Sequence, residues 1–150
     1  RLAVRGPLGC RYLADDRQRV YVQGGWNITG DIYVVDEEGY FQYVSRSDDM
    51  IVSSGYNIAA PEVEGALLTH PAIAETAVIG KPDADRGMIV KAFVVLRPDH
   101  EPSDALVTEL QEHVKATIAP YKYPREIEFV GELPKTATGK LQRFRLKEPG

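Results

Sequence analysis

Four short stretches of this sequence set reactive side chains beside residues that let a ligand come close. In Thr29-Gly30-Asp31 a carboxylate follows a glycine. The glycine permits a tight approach, and the carboxylate can accept two hydrogen bonds from a vicinal diol such as that of a ribose, although Thr-Gly-Asp is also an ordinary turn. Arg46 and Asp48 fall in the polar run Ser45-Arg46-Ser47-Asp48-Asp49, where a hinge and a cleft would lie in a two-domain protein; the plainer alternative is an exposed ion pair, worth little. Ser53-Ser54-Gly55-Tyr56 is a turn whose glycine lacks the Cβ that would hold a ligand off the backbone, or it is a turn and nothing more. Lys140 follows Gly139 in a loop that also holds Thr136 and Thr138, and an ammonium presented in this way can meet phosphate or carboxylate oxygen; the alternative is a solvated basic tail. The loop is not a P-loop, because Thr136-Ala137-Thr138-Gly139-Lys140-Leu141 has no earlier glycine and no hydroxyl after the lysine.

Composition narrows the classes. With 150 residues, 43% hydrophobic and 27% charged, the chain can bury one proper core and should be globular. A net charge of -4 argues against a general nucleic-acid or membrane-surface binder, either of which needs a basic field. No apolar stretch approaches the ~20 residues of a bilayer span, and no charged-then-apolar leader opens the chain. The single cysteine, Cys10, cannot form an internal disulfide, which fits a reducing, cytoplasmic compartment. His70, His100 and His113 are isolated in sequence and show no metal-ligand spacing. Arg1 is not an initiator methionine and Arg1-Leu2-Ala3-Val4-Arg5 alternates like a strand in progress, so the chain reads as a segment of a longer protein.

The elements that must position these residues follow from periodicity. Arg19 to Gln23 reads as a strand ended by Gly24-Gly25, and Ile32 to Val35 pairs with Tyr40 to Val44 through Asp36-Glu37-Glu38-Gly39 as a hairpin. Ser45 to Asp49 reads as a linker, and a second short apolar pair flanks Ser53-Ser54-Gly55. Pro61 opens a helix that stops at His70-Pro71, strands follow over 73–79 and 89–96, and Lys81-Pro82-Asp83 starts their connection. Ser103 caps a helix whose Leu106, Leu110, Val114 and Ile118 form one apolar stripe. Ile127 to Val130 is a last strand, and Phe144 to Lys147 a last helical turn. This order predicts an α+β fold: a small sheet with packed helices, preceded by a β-hairpin segment.

Taken in order, Gly6-Pro7, Thr29-Gly30-Asp31, the hairpin, Ser45 to Ile51, Ser54-Gly55-Tyr56-Asn57-Ile58, Pro61-Glu62-Val63-Glu64, Pro134-Lys135-Thr136 and Gly139-Lys140-Leu141-Gln142-Arg143 resemble the AMP-forming acyl-CoA synthetases of the adenylate-forming superfamily. The superfamily also includes luciferases and the adenylation domains of peptide synthetases, and the resemblance covers essentially the whole chain. It implies that residues 1–46 are the β-rich tail of a large N-terminal AMP-binding domain and that 47–150 are the small lid domain. By the same resemblance Asp31 holds the ATP ribose, Arg46 lies near the same nucleotide and Asp48 is the hinge. Lys140 is the catalytic lysine of adenylate formation, and Ser53, Ser54, Gly55 and Tyr56 line the pantetheine channel during thioester formation. Ser45 stands where the family usually has glycine, and Asn57 where many members carry a longer basic or amide side chain.

The implied partners are the missing N-terminal domain, a carboxylic acid, ATP, Mg2+ and coenzyme A, with none tightly bound to this fragment, no resident metal site, no nucleic acid and no membrane. The fragment alone is expected to be inactive. The run Gly55 to Pro61 looks most like benzoate- and 2-aminobenzoate-CoA ligases. The rivals are an adenylation domain loading a carrier protein and a non-catalytic module that holds nucleic acid through Lys135, Lys140, Arg143, Arg145 and Lys147.

Overall fold

The computed structural model describes residues 2–6 and 16–147; Arg1, Pro7 and Cys10, named above, lie outside them. The chain divides into two compact units, Arg1–Asp48 and Asp49–Gly150.

In the first unit, strands β1 (Ala3–Val4), β2 (Val22–Gln23) and β3 (Trp26–Ile28) form one small antiparallel sheet, and β4 (Asp31–Val35) with β5 (Phe41–Arg46) forms a separate hairpin. The expected strand from Arg19 is corrected: Arg17–Tyr21 is a short helix, α1, and only Val22–Gln23 pairs, opposite Trp26–Asn27. Arginine and glutamine favour a helical turn over a strand, and Arg19 N–H closes it on the Asp16 carbonyl at 3.0 Å. Gly24 and Gly25, at φ +57° and +80°, make the tight turn between β2 and β3, the conformation that favours glycine at both central positions. Ser45 and Arg46, expected in a linker, are the end of β5, and Ser45 is fully buried with its hydroxyl donating to the Arg46 carbonyl at 3.0 Å.

The second unit is built around β9 (Gly87–Leu96). It pairs antiparallel with β8 (Ile73–Asp83), parallel with β10 (Glu126–Phe129), and through Gly87 with β6 (Met50–Ser53), which pairs in turn with β7 (Tyr56–Ala59). Lys81-Pro82-Asp83, expected in the connection, belong to β8. Proline is tolerated there because β8 is an edge strand whose ladder is shared with β9 alone. Side chains alternate across this sheet. Val78, Val90, Ala92 and Val94 face a core with Leu67 of α2 (Ala60–Leu68) and Leu106, Leu110 and Val114 of α3 (Asp104–Thr117). Ala77, Ile79 and Phe93 face a smaller cluster closed by Leu133, Leu141 and Leu146. The Ser103 hydroxyl caps α3 by accepting from Leu106 N–H at 3.2 Å, as its position before the apolar stripe predicts. The fold is the expected α+β. Among the described residues no helix is long and apolar enough to cross a membrane.

Candidate functional site

In the first unit the β4–β5 register sets Asp31 directly opposite Arg46. The Arg46 guanidinium lies 3.7 Å from the Asp31 carboxylate through Nη1 and 3.1 Å from Asp48 through Nε. Gly30 leads into this pair at φ +78°, a conformation that favours glycine, and its carbonyl accepts from Ser47 N–H at 2.7 Å. All three charged groups keep solvent access, so each pair is worth at most ~1 kcal/mol and is cheap to exchange for a ligand. A carboxylate beside a cation on a fixed strand pair can take a diol and a neighbouring anion together.

In the second unit, Ser53 pairs with Tyr56 and the turn between them carries Ser54 at φ +49° and Gly55 at φ +83°. Nothing lies within 4 Å of a Cβ built on Gly55, so its backbone faces open space. Arg86 braces the turn: its Nη1 donates to the Ser54 hydroxyl at 3.0 Å and its carbonyl accepts from Ser54 N–H at 2.9 Å. Tyr56 stacks on Tyr121 with ring centroids 4.4 Å apart. The arrangement gives a backbone-rich edge beside aromatic rings, with the Arg86 guanidinium against it.

Lys140 lies in a hairpin rather than the open loop expected from the sequence. Lys135 bridges Leu141, Thr136 N–H donates to the Lys140 carbonyl at 2.8 Å, and Lys140 N–H donates to the Thr136 hydroxyl at 3.0 Å. Gly139 turns the chain at φ +80°. The hydroxylated residues around the lysine are therefore structural, with Thr136 and Thr138 3.0 Å apart through their hydroxyls. The Lys140 side chain itself is exposed. Every other lysine pairs with a carboxylate: Lys81 and Lys91 with Glu126, Lys115 with Glu112, Lys122 with Glu62, Lys135 with Glu75 and Lys147 with Asp49. Among the described residues Lys140 has no such partner.

Sequence reasoning missed the residues behind this hairpin. Arg143 Nη2 donates to both oxygens of Glu64 at 2.8 and 2.7 Å, Nη1 lies 3.7 Å from Asp49, and Glu64 also accepts from Val78 N–H at 2.8 Å. Glu64 and Arg143 are 79 positions apart, and no local spacing announces such a pair. Two of the histidines that are isolated in sequence meet in the fold: His70 and His113 lie edge to face at 5.1 Å, with His70 against Glu109 and His113 against Thr69. They link α2 to α3, which explains them as packing residues.

A separate charged group sits on β9 and β10. Burial pushes the Lys91 ammonium down, but hydrogen bonds to Glu126 and Glu128 outweigh it and hold its pKa above the ordinary value. A concavity of about 460 Å3 lined by Glu75, Lys135 and Arg145 includes none of the residues that the resemblance assigns to the nucleotide, the hinge or the thiol channel. Among the described residues no three His, Cys, Asp or Glu side chains group as metal ligands.

Residues 62–140 match the AMP-binding enzyme C-terminal domain family. The chain is 56% identical over 129 residues to the mouse (Mus musculus) mitochondrial acyl-coenzyme A synthetase ACSM3, covering 85% of this chain and 22% of that protein. It is 53% identical over 133 residues to the uncharacterized acyl-CoA ligase YtcI of Bacillus subtilis (strain 168), covering 89% of this chain and 25% of that one. Among solved structures, the anthranilate CoA ligase AuaEII in complex with anthranoyl-AMP superposes with a TM-score of 0.76 at 50% identity, over 87% of this chain and 25% of that one. The chain thus spans about a quarter of the length of the relatives it matches, and with more than half of its residues in the match it belongs to the AMP-binding enzyme C-terminal domain family.

Proposed function

We propose that this chain is the terminal part of an ATP-dependent acid:thiol ligase that forms an acyl adenylate and then an acyl-CoA thioester. Residues 1–46 are the tail of the large nucleotide-binding domain, 47–150 are a lid, and the fragment alone does not turn over. In the first half-reaction a carboxylate oxygen of the acid attacks the α-phosphorus of ATP and the bond to pyrophosphate breaks. Lys140 lies against the α-phosphate and the acid, where fixed positive charge stabilises the charge that builds up. Asp31 holds the ribose hydroxyls and Arg46 stays close to the same nucleotide. In the second half-reaction the lid pivots at Asp48, and the thiol sulfur attacks the acyl carbon as the bond to AMP breaks. The Ser53–Tyr56 turn then lines the thiol's path, with Gly55 nearest. Mg2+ supplies charge neutralisation for the nucleotide, and the residues described here do not form a site for it.

The observation that carries this reading is Lys140. Among seven lysines it alone presents an ammonium with no carboxylate within ion-pair distance among the described residues, on a hairpin closed by backbone hydrogen bonds from Thr136 to Lys140 and from Gly139 to Thr136. The relatives support the chemistry: their names state acyl-CoA synthetase or CoA ligase activity. An aryl acid of the benzoate or 2-aminobenzoate type is the substrate class we favour, supported by the 50% identity to an anthranilate CoA ligase. A cytoplasmic location belongs to the same proposal and rests on the single cysteine alone.

The test is Lys140→Ala in the intact parent enzyme. Pyrophosphate release should fall about 100- to 1000-fold, the loss typical of one transition-state donor, while thioester formation from supplied acyl adenylate persists. Equal loss of both half-reactions would contradict the role. A panel of acids scored for pyrophosphate release names the substrate.

A further inference from the structure

We infer that Arg143, with Glu64, is a positioning residue for Lys140, and that it locks the Lys140 hairpin to the segment next to the pivot. The inference rests on the proposed role of Lys140. Arg143 begins the short helix α4 (Arg143–Lys147), three residues beyond Lys140. Its guanidinium spends one amino group on each of two carboxylates: Nη2 on Glu64 in α2, at 2.8 and 2.7 Å, and Nη1 towards Asp49, at 3.7 Å. Lys147, one turn on, reaches the same Asp49 at 3.3 Å. Asp49 is the first residue of the second unit and the immediate neighbour of the pivot Asp48.

These groups are substantially buried, with Arg143 24%, Asp49 15% and Glu64 13% exposed. Buried ion pairs of this kind contribute little net stability compared with well-packed apolar groups, because desolvation offsets the attraction. Here the cost is visible, since Arg143 Nε is buried without a hydrogen-bond partner among the described residues. What a planar guanidinium supplies instead is direction. Its amino groups diverge at a fixed angle, so holding Glu64 and Asp49 together sets the orientation of α4, and a lysine ammonium cannot reproduce that. Glu64 is itself fixed by Val78 N–H of the central sheet. Leu141 of the hairpin and Leu146 of α4 also pack on Ala77, Ile79 and Phe93. The Lys140 hairpin is therefore tied to its own unit by an apolar contact and an ionic one, and any rotation at residue 48 carries the lysine with it.

Catalytic groups displaced by about 1 Å lose roughly 100-fold in rate. In the intact parent enzyme, Arg143→Gln and Arg143→Lys should each lower pyrophosphate release by about that factor, with thioester formation from supplied acyl adenylate within a few-fold of the unaltered enzyme. Glu64→Gln keeps the acceptor for Val78 and removes the charge, so it should give the same split if the arginine variants fold poorly. Backbone hydrogen exchange should rise over 135–147 and stay unchanged in the central sheet. Lys140→Ala is run beside them. If Lys140→Ala loses only the first half-reaction but the Arg143 and Glu64 variants lose neither or both equally, the positioning role is wrong and the assignment of Lys140 stands. If Lys140→Ala itself shows no split, both fall.

Discussion

The two units of this chain spend their apolar residues differently. In the second, Ile51, Ile58, Leu67, Val94, Leu110 and Val114 are fully buried in one core. In the first, Ser45 is the sole buried residue among those described, while Val34, Val35, Phe41 and Tyr43 of the hairpin are more than half exposed. Val35, Phe41 and Tyr43 share one face of the hairpin with Tyr33, and apolar exposure grouped in this way is unusual on a self-sufficient domain and marks a surface made to be covered. The second unit carries its own folding free energy. The first pairs a small sheet with a hairpin and shows no core among its described residues, which agrees with the proposal that it is the edge of a larger domain.

Substitution on either side can break this contrast. Leu110→Ala should destabilise the chain by about 2–5 kcal/mol in urea unfolding, as cavity-forming changes in a packed core do, whereas Val35→Ala should stay within about 0.5 kcal/mol. Comparable losses would erase the distinction. In the intact parent the Val35 penalty should rise towards the ~1.5–3 kcal/mol of a buried valine, and an unchanged value would mean that nothing covers the hairpin.

In the proposed function the first unit binds while the second moves. Asp31→Asn keeps the shape of the side chain but weakens charge-assisted acceptance, by about 1.5–3 kcal/mol, so the parent's KM for ATP should rise roughly 10- to 100-fold with kcat little changed. A fall in kcat at constant KM would remove the ribose assignment. Asp48→Pro fixes φ near −65° at the junction and should slow thioester formation about tenfold, a loss of ~1.4 kcal/mol, with a smaller effect on adenylate formation. Ordinary thioester turnover in that variant would remove the hinge.

The same difference decided what could be read from the sequence. Leu106, Leu110 and Val114 recur at helical spacing because a core enforces it, and the Ser103 cap and both strands of the central pair followed from pattern. Where no core enforces a period, the β4–β5 hairpin is legible from its turn but its surroundings are not. Arg19 to Gln23 reads as one strand, whereas Arg17–Tyr21 is a helix and only Val22–Gln23 pairs; β3 over Trp26–Ile28 goes unread, and Ser45-Arg46 reads as a linker and is strand. Lys140 was legible as a presented cation because Gly139 and its hydroxylated neighbours are adjacent in sequence. Arg143 was not, since its meaning lies in Glu64 and Asp49, which only the folded chain brings to it.

The smallest expected effect lies at the charged group on β9 and β10, and it tests whether the core or the surface charges hold the second unit together. Hydrogen bonds from Lys81 and then Lys91 hold the Glu126 carboxyl below its ordinary 4.5, against the opposing push of burial. Its contribution to stability is therefore present above pH 4.5 and disappears as the pH falls through the lower folded value. Lys91 is the mirror case: held above its ordinary 10.5, it contributes fully below that pH and loses its contribution as the pH climbs through the folded value. Because Glu126 keeps about a third of its surface in solvent, screening leaves the effect small. Glu126→Gln should thus lower the melting temperature by a degree or so at neutral pH, and the two melting curves should converge once the carboxyl is protonated in the folded state. A gap that persists unchanged into strong acid would mean that the side chain acts through packing rather than charge, and the contrast between a core-held and an uncovered unit would then extend to the rim of the sheet.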